Sequence, residues 1–330
     1  MSRLPTVTDV AEAAGVSRQT VSNVLNAPDR VREATRERVS KAIEELGYRP
    51  HASARRLRTQ TSSTIGIRLD PVSDGISGSI LDRFLHALTE QADAVGLRVL
   101  LYTALGADDE IRQLARLVDG ADVDAFVLTS TYYGDPRTDW LIERGQRFVT
   151  FGRPWGINDM TDPAHAWVDV DGRDGVRQAT EHLLEAGHRR IGYIGWPSGS
   201  GTGDDRHGGW AETLRTASVP DLDGLVERAE DSVSAGTAAM RRLMSRNPGL
   251  EAVVTASDGL ALGALVAASG TTPVVGFDNT PVAASLGFSS VDQQLTAVAS
   301  GVLELLTDST NGPRHRLIAP ELVVREETLR

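Results

Sequence analysis

The sequence predicts an all-α head with a helix-turn-helix, followed by a two-lobed α/β body built on parallel sheets. Residues 6–57 carry apolar side chains at helical spacing, interrupted by residues that cap and end helices. From Thr64 onward, short apolar strands alternate with amphipathic helices, a pattern typical of parallel sheets covered on both faces. This alternation runs as two successive series, which predicts two similar lobes.

The domain boundaries are predicted from these patterns. The head occupies residues 1–50, a hinge helix and linker residues 51–62, and the body residues 63–330. Two segments are predicted to form each lobe: about 63–163 with 295–318 for the first, and about 164–294 with 319–330 for the second.

Two short helices joined by a tight turn are predicted near the start of the chain. Thr6 is placed to cap the first helix with Asp9 in its first turn, and Gly15 stands where that helix ends in a left-handed residue. Ser17 is placed to cap the second helix. The apolar residues at helical spacing are Val7, Val10, Ala11, Ala14, Val21, Val24 and Leu25. A third helix, roughly 33–46, closes a small core.

The outer side of the second helix carries side chains suited to DNA. Arginine can pair with both guanine acceptors in the major groove, and glutamine or asparagine with both edge groups of adenine, while Ser and Thr reach phosphates. A helix-turn-helix presents its second helix in this way. The predicted DNA-binding residues of the head are Thr6, Ser17, Arg18, Gln19, Thr20 and Asn23. The alternative is an ordinary helical hairpin with a polar surface.

A basic stretch follows the head. Pro50 ends the preceding segment, and nothing nearby in the sequence is large enough to bury Leu57, which lies beside Arg55 and Arg56. A large apolar side chain flanked by arginines suits insertion between base steps in the minor groove. We therefore predict that these three residues bind DNA; the alternative is that Leu57 is a buried linker residue.

Head and linker resemble the lactose/galactose repressor (LacI/GalR) family in content, order and spacing. The resemblance rests on TVTDVAEAAGVSRQTVSNVLN, TRERVSKAIEELGYRP and ARRL, and it continues in VDVDGRDG, HLLEAGHRRIGYIG, DDRHGGW, TASDGLALGAL, VVGFDNTP and SSVDQQ. It implies a homodimeric transcriptional regulator, a repressor, that binds a near-palindromic operator in double-stranded DNA. It also implies a small effector held between two periplasmic-binding-protein-like lobes, and a hinge that becomes helical only on the operator.

The charge distribution agrees with DNA binding by the head alone. The net charge of the chain is −11. Residues 1–60 hold 11 of the 34 basic and 7 of the 45 acidic side chains, a balance of +4 that leaves −15 for the rest. A small basic head on an acidic body is the asymmetry expected if only the head meets phosphate.

Composition and motifs exclude several classes of protein. The chain has no cysteine, which rules out disulfides, thiolate metal sites and a cysteine nucleophile. It has no apolar run that could span a membrane and no secretory pattern, so we expect a cytoplasmic protein without a membrane partner. The segment GSGTGDD has Asp204 where G-x-G-x-x-G requires glycine. No other nucleotide or catalytic motif is present, so we expect neither an enzyme, nor a cofactor, nor a metal.

The elements of the body are predicted in order along the chain. Strands are expected at 64–69, 98–103, 124–130, 147–152, 167–170, 190–195, 252–257 and 273–277. Helices are expected at about 80–95, 110–118, 172–186, 208–217, 234–245, 259–268 and 293–306.

Polar residues follow several of these strands, where ligands of open parallel sheets bind. Carboxylates and arginine can hydrogen-bond vicinal hydroxyls in pairs, and an indole can cover the C–H face of a sugar ring. We therefore predict a cleft for a neutral mono- or oligosaccharide. Its predicted residues are Asp70, Asp174, Trp196, Arg206, Asp258, Asp278 and Gln293, of which the resemblance alone supplies Gln293.

Each of these residues also has a structural interpretation. Asp174 and Asp258 could be helix N-caps, and Arg206 could lie on the surface at the start of a helix. Trp196 could only pack its loop, and Asp278 could only form a turn.

Two alternatives remain open for the whole protein. One is a sugar receptor without DNA function, since its two-lobed body would look alike. The other is a regulator that responds to a non-sugar effector such as a nucleobase. Asp231 stands about where several sugar-responsive members of the resembled family carry an aromatic residue, so ring stacking there is in doubt.

Overall fold

Two compact units make up the chain, Met1–Ser62 and Ser63–Arg330. The computed structural model describes residues 5–48, 62–70, 78–307 and 312–325. The predicted hinge residues Arg55, Arg56 and Leu57 lie outside the described residues.

The first unit contains the helix-turn-helix. Its helices are α1 (Val7–Ala14), α2 (Arg18–Asn26) and α3 (Glu33–Leu46), with a 3-10 turn at Pro28–Arg30. Gly15 has a φ of +62°, and this left-handed residue ends α1 and starts the turn toward α2. The side chains buried between the helices are Val10, Ala11, Ala14, Val21, Val24, Val39 and Ala42. The predicted all-α fold of the head is confirmed.

The second unit begins with a lobe built on a parallel sheet. Its strands are β1 (Thr64–Arg68), β2 (Arg98–Tyr102), β3 (Ala125–Leu128), β4 (Phe148–Phe151), β5 (Trp167–Val170) and β11 (His315–Ile318), in the spatial order β11-β5-β4-β3-β1-β2. Its helices are α4 (Ser79–Ala94), α5 (Ala107–Asp119), α6 (Pro136–Glu143) and α12 (Leu295–Thr307). All described strand pairs of this sheet are parallel, as the alternating pattern predicted.

The second lobe repeats the arrangement. Its strands are β6 (Ile191–Gly195), β7 (Val226–Arg228), β8 (Ala252–Thr255), β9 (Val274–Phe277), β10 (Ser290–Asp292) and β12 (Glu321–Val323), in the order β12-β10-β9-β8-β6-β7. Its helices are α7 (Gly172–Glu185), α8 (Gly201–Thr216), α9 (Val233–Arg246), α10 (Asp258–Ala268) and α11 (Pro281–Leu286). Only β12 pairs in the antiparallel sense among the described strands, and it does so with β10.

One predicted lobe boundary is wrong. Residues 164–170 were expected in the second lobe, but β5 pairs with β4 and β11 of the first sheet. All four residues of β5 are buried. A strand buried on both faces carries no pattern that identifies its sheet, so the sequence around residue 163 could not place it. The first crossing between lobes therefore lies between β5 and α7.

Helix α8 begins seven residues before its expected start near Gly208, at Gly201. Ser200 caps it, because its hydroxyl accepts a hydrogen bond from the Gly203 N–H at 3.1 Å. A glycine within α8 allows its close packing on α7. A Cβ at Gly209 would lie 2.2 Å from the backbone oxygen of Arg173. The close contact of α7 and α8 thus requires glycine there, whatever its low helix propensity.

A group of buried charged side chains connects β1, α5 and α6 in the first lobe. Glu110 on α5 has no exposed surface, and Arg137 on α6 is 1% exposed. The Arg137 guanidinium donates to Glu110 Oε2 at 2.9 Å and to Asp135 Oδ2 at 2.6 Å. Arg68 on β1 donates to the same Glu110 oxygen at 2.8 Å. Each buried charge therefore has an oppositely charged partner.

Candidate functional site

The predicted base-reading residues lie together at the start of α2. Arg18 and Gln19 are exposed, and Asn23 is half-buried one turn further on. Gln19 Nε2 donates to Asn23 Oδ1 at 3.0 Å, so the two amides hold each other along the helix surface. The Ser17 hydroxyl caps α2 by accepting from the Thr20 N–H at 3.1 Å. All five groups are thus on, or next to, the first two turns of one helix.

Thr6 has a structural role in the first unit. Its hydroxyl donates to Asp9 Oδ2 at 2.7 Å, and its own N–H donates to the same oxygen at 2.6 Å. The Asp9 N–H donates back to the Thr6 hydroxyl at 3.4 Å, which completes a capping box at the N-terminus of α1. Thr6 therefore orients the first helix, and its predicted DNA contact stays a prediction.

A cleft of about 820 Å³ lies between the two lobes of the second unit. On one side its walls are the start of α4 and the ends of strands β1, β3, β4 and β5. On the other side they are α8 and the residues after β6, β7, β9 and β10. The carboxyl ends of the strands thus face one another, as open parallel sheets favour. The predicted effector residues that line the cleft are Asp70, Trp196, Arg206, Asp278 and Gln293.

Arg206 is a buried, prepositioned cation in this cleft. It is 4% exposed and lies within α8, so the surface interpretation is wrong. Its guanidinium carbon is 3.6 Å from the Phe277 ring centroid and 4.9 Å from that of Trp196. Nη1 donates to the Ala256 carbonyl at 2.6 Å. Its Nε has no hydrogen-bond partner among the described residues, which leaves a buried donor for a ligand.

Trp196 provides a second donor of the same kind. Its indole Nε1 is buried and has no hydrogen-bond partner within the described part of the chain. Asp231 lines the same cleft, and its Oδ1 accepts from the Ser257 hydroxyl at 2.5 Å. The position where the resemblance suggested an aromatic ring therefore holds a carboxylate fixed by a neighbour.

Asp70 lines the cleft on the side of the first lobe. Its Oδ1 accepts from Arg68 Nε at 2.8 Å, and Ser130 Oγ donates to Oδ2 at 3.3 Å. Arg68 in turn binds the buried Glu110. The Asp70 carboxylate is therefore held in one orientation by groups that are themselves fixed, which suits it to bind hydroxyl groups.

Asp278 has a strained backbone and a buried carboxyl group whose pKa is raised. Its φ is +117°, and the next residue, Asn279, has a φ of +45°; such conformations in non-glycine residues concentrate at functional sites. Gln293 Nε2 donates to its Oδ1 at 2.7 Å. Burial raises the pKa of Asp278 well above its usual range; Arg206 opposes that rise, and the carboxylates of Asp258 and Asp231 add to it.

This raised pKa predicts a pH dependence of stability. A carboxyl whose pKa is higher in the folded state stabilises the fold below its ordinary pKa of about 4, and this stabilisation is lost as pH rises through the folded value. Asp278→Asn removes the titrating carboxyl group and with it this loss of stability. The amide oxygen can still accept the hydrogen bond from Gln293. We expect the free energy of unfolding of the variant, relative to the parent, to increase from pH 4 upward in urea titrations.

Asp174→Asn is a control of opposite sign for this pH dependence. Partial burial raises the pKa of Asp174, but hydrogen bonds from Gln178 and Arg177 lower it overall. Its contribution is therefore present above its ordinary pKa and lost as pH falls. A difference between Asp278→Asn and the parent that stays constant with pH would contradict the assignment.

Two predicted effector residues do not line the cleft. Asp174 binds Arg177 and Gln178 on α7. Asp258 is fully buried, and its carboxylate accepts from Thr280 and Ser290 at 2.6–2.7 Å. Neither is an N-cap either, because Asp171 and Ser257 cap their helices. Asp258 thus accepts three hydrogen bonds from within the fold, which favours a structural role over contact with an effector.

One residue of the cleft and one contact between the lobes were not predicted. Asp169 lines the cleft from within β5 and is 5% exposed. A charged residue inside the short apolar strand WVDV was the available signal. Arg83 on α4 donates to the backbone oxygens of Asp278 and Asn279 at 2.9 and 3.1 Å, a contact between the lobes that no local sequence pattern marks.

Comparisons with known proteins agree with this architecture. A model of bacterial regulatory proteins of the lacI family matches residues 6–51, and a periplasmic binding protein-like domain matches residues 180–328. The HTH-type transcriptional regulator CelR of Thermobifida fusca is 35% identical, over 98% of this chain and 98% of its own. The chain belongs to the lacI family of bacterial regulatory proteins.

Solved structures extend the lacI-family likeness to the whole chain. A transcriptional regulator CelR–cellobiose complex has a TM-score of 0.71 and 31% identity, over 98% of this chain and 99% of that one. The lac repressor dimer bound to operator and an anti-inducer has a TM-score of 0.83 over 99% and 100% of the two chains. Its identity is 23%, so it shows the fold alone. LacI-family membership confirms the predicted resemblance and favours a regulator over a sugar receptor.

Across residues 5–48, 62–70, 78–307 and 312–325, no helix is both long and apolar enough to cross a membrane. In the same ranges, no group of three or more His, Asp or Glu side chains is arranged to hold a metal ion.

Proposed function

We propose that this chain is a sequence-specific transcriptional repressor that a neutral carbohydrate releases from DNA. Two copies would place their α2 helices on a near-palindromic operator, with Arg18, Gln19 and Asn23 reading base edges. Residues 51–58 would become helical on the operator, and Leu57 of each copy would enter the central base step. The protein would act in the cytoplasm and would not be an enzyme.

The pair of unpartnered donors in the cleft carries the carbohydrate proposal. Buried polar atoms are almost always hydrogen-bonded in folded proteins, yet Arg206 Nε and Trp196 Nε1 have no partner among the described residues. The carboxylates of Asp70 and Asp231 lie in the same cleft. Donors and acceptors are thus presented together, which suits hydroxyl groups because each is both donor and acceptor. A relative of this chain is solved with cellobiose.

Duplex selection with the full chain tests the DNA part of the proposal. A random duplex library would be enriched at moderate salt and the winners scored for two half-sites, since a symmetric dimer needs a near-palindrome. Failure to enrich any duplex over competitor would contradict it.

A ligand screen tests the effector part. Thermal shift with mono- and disaccharides, cellobiose included, and with nucleobases identifies ligands that bind the folded state. Each hit is then tested for release of the selected duplex. A nucleobase hit, with no response to any sugar, would replace the carbohydrate by a non-sugar effector.

Arg18→Ala is expected to weaken binding of the selected duplex by about 1–3 kcal/mol, because a bidentate arginine–guanine contact is lost. Specificity at one base pair of each half-site should relax, while affinity for random DNA falls much less. Titration of labelled duplexes measures both quantities.

Lys41→Ala is the control for charge. Lys41 on α3 is exposed and pairs with Glu45 at 3.8 Å, so its loss removes one positive charge without a predicted base contact. Equal loss of affinity for selected and random duplexes in Arg18→Ala would show that Arg18 binds phosphate instead.

A further inference from the structure

An arginine joins the two lobes beside the cleft. Arg153 follows β4 in the first lobe, and its side chain is 14% exposed. Its Nε donates to Asp169 Oδ2 at 2.7 Å within the first lobe. Its Nη2 donates to Asp205 Oδ2 at 2.5 Å, on α8 of the second lobe. Asp205 directly precedes Arg206, so the ion pair between the lobes and the cleft cation move with the same helix.

Every charge in this contact also has a partner in its own lobe. Asp169 keeps Arg153 if the lobes separate. Asp205 keeps Arg173 on α7, whose Nε lies 3.1 Å from Oδ1, and Arg173 also binds Glu212. Breaking a buried ion pair is strongly unfavourable when it leaves one charge alone. Here separation leaves no charge alone, so the contact between lobes can form and break repeatedly.

An aromatic contact accompanies the ion pair. The Trp155 ring centroid lies 4.5 Å from the Arg153 guanidinium carbon, and the ring is 7% exposed. It lies against Gly201, the first residue of α8, where a Cβ would be 2.1 Å from the ring. The first lobe thus fits on α8 only because residue 201 lacks a side chain. Separation of the lobes would expose the indole to water.

We propose that Arg153 is a positioning residue for the effector response. Its bond to Asp205, with Trp155 on Gly201, raises the fraction of molecules whose lobes are closed around the cleft. This inference rests on the proposed effector function of the cleft. The apparent affinity of a ligand that needs the closed form falls in proportion to the closed fraction. Weakening the contact therefore raises the effector concentration required, although Arg153 and Asp205 do not contact the effector.

Asp205→Asn tests the proposal without leaving a buried charge alone, because Arg153 keeps Asp169 and Arg173 keeps Glu212. We expect operator affinity within about twofold of the parent. The concentration of cellobiose, or of the best sugar of the screen, for half-release should rise by about fivefold or more. Trp155 emission, taken as the difference from the matching Trp155→Phe protein, should shift to longer wavelength without sugar.

Gly201→Ala perturbs the same closure by volume alone and should change both readouts in the same direction. If Asp205→Asn lowers the midpoint of unfolding, the result with Gly201→Ala decides the test. Glu304→Gln is the control: Glu304 pairs with Arg316 within the first lobe, and we expect parental sugar response and emission.

Half-release at the parental concentration with parental emission, in both Asp205→Asn and Gly201→Ala, would overturn the role of Arg153. If no sugar binds the parent, the carbohydrate proposal fails by itself. The positioning role is then decided by the emission measured without sugar, where a shift supports it and parental emission overturns it.

Discussion

Arg206→Met should bind the selected operator as the parent does and remain bound when effector is added. The guanidinium lies between the Trp196 and Phe277 rings with its Nε facing no described partner. Hydrogen bonds from charged groups contribute about 1.5–3 kcal/mol each. Loss of one such bond to an effector would raise the releasing concentration by about 10-fold to 150-fold. Methionine fills much of the space between the rings, but buried Asp278 loses the cation 4.0 Å from its Oδ1. The unfolding midpoint of the variant is therefore measured together with its operator binding.

Operator release measured against effector concentration tests this expectation. Arg177→Met is the matched control, because Arg177 is half-exposed and pairs with Asp174 and Glu181 on the surface of α7. The control should respond as the parent does. Release of Arg206→Met at the parental concentration would remove Arg206 from the effector site.

Arg137→Met should destabilise the second unit by about 3–5 kcal/mol, the range seen when one partner of a buried ion pair is removed. Arg137 donates to Asp135 through Nε and Nη2 and to Glu110 through Nη1. Without it, Asp135 loses its cationic partner, while Glu110 keeps Arg68. In the variant, the Asp135 carboxyl would either stay ionised without a counter-charge or become protonated. Both states are unfavourable at neutral pH.

Urea unfolding at neutral pH measures the change in stability. Arg112→Met on α5 is the control, because Arg112 is 62% exposed in its pair with Asp109, and exposed pairs contribute about 1 kcal/mol at most. Equal midpoints for the two variants would show that the buried group of charges tolerates a missing arginine.

The head was predictable because its signals are local. Thr6, Gly15 and Ser17 act at the helix ends where their residue types suggested. Within the body, the alternation of strands and helices predicted two parallel sheets, yet β5 was assigned to the wrong lobe. Parallel strands buried on both faces look alike whichever sheet they join.

The cleft was predictable in its position at the ends of the strands and only partly in its residues. A residue that follows a strand lies at the correct edge of the sheet, but its side chain can turn into the fold, as Asp258 does toward Thr280 and Ser290. Arg153 and Asp205 are 52 residues apart in the chain. Their pairing depends on how the lobes meet, which no short stretch of sequence records.

The crossing of the chain between lobes has a consequence for biosynthesis. The first lobe uses residues up to β5 and then α12 and β11, which come more than a hundred residues later. Side chains of α12 that complete its hydrophobic core include Leu295, Val298, Val302 and Leu306. A nascent chain still attached to the ribosome thus leaves this core uncovered until nearly all of it has been translated. The first lobe is therefore exposed to chaperones and proteases for longer during translation than the second lobe.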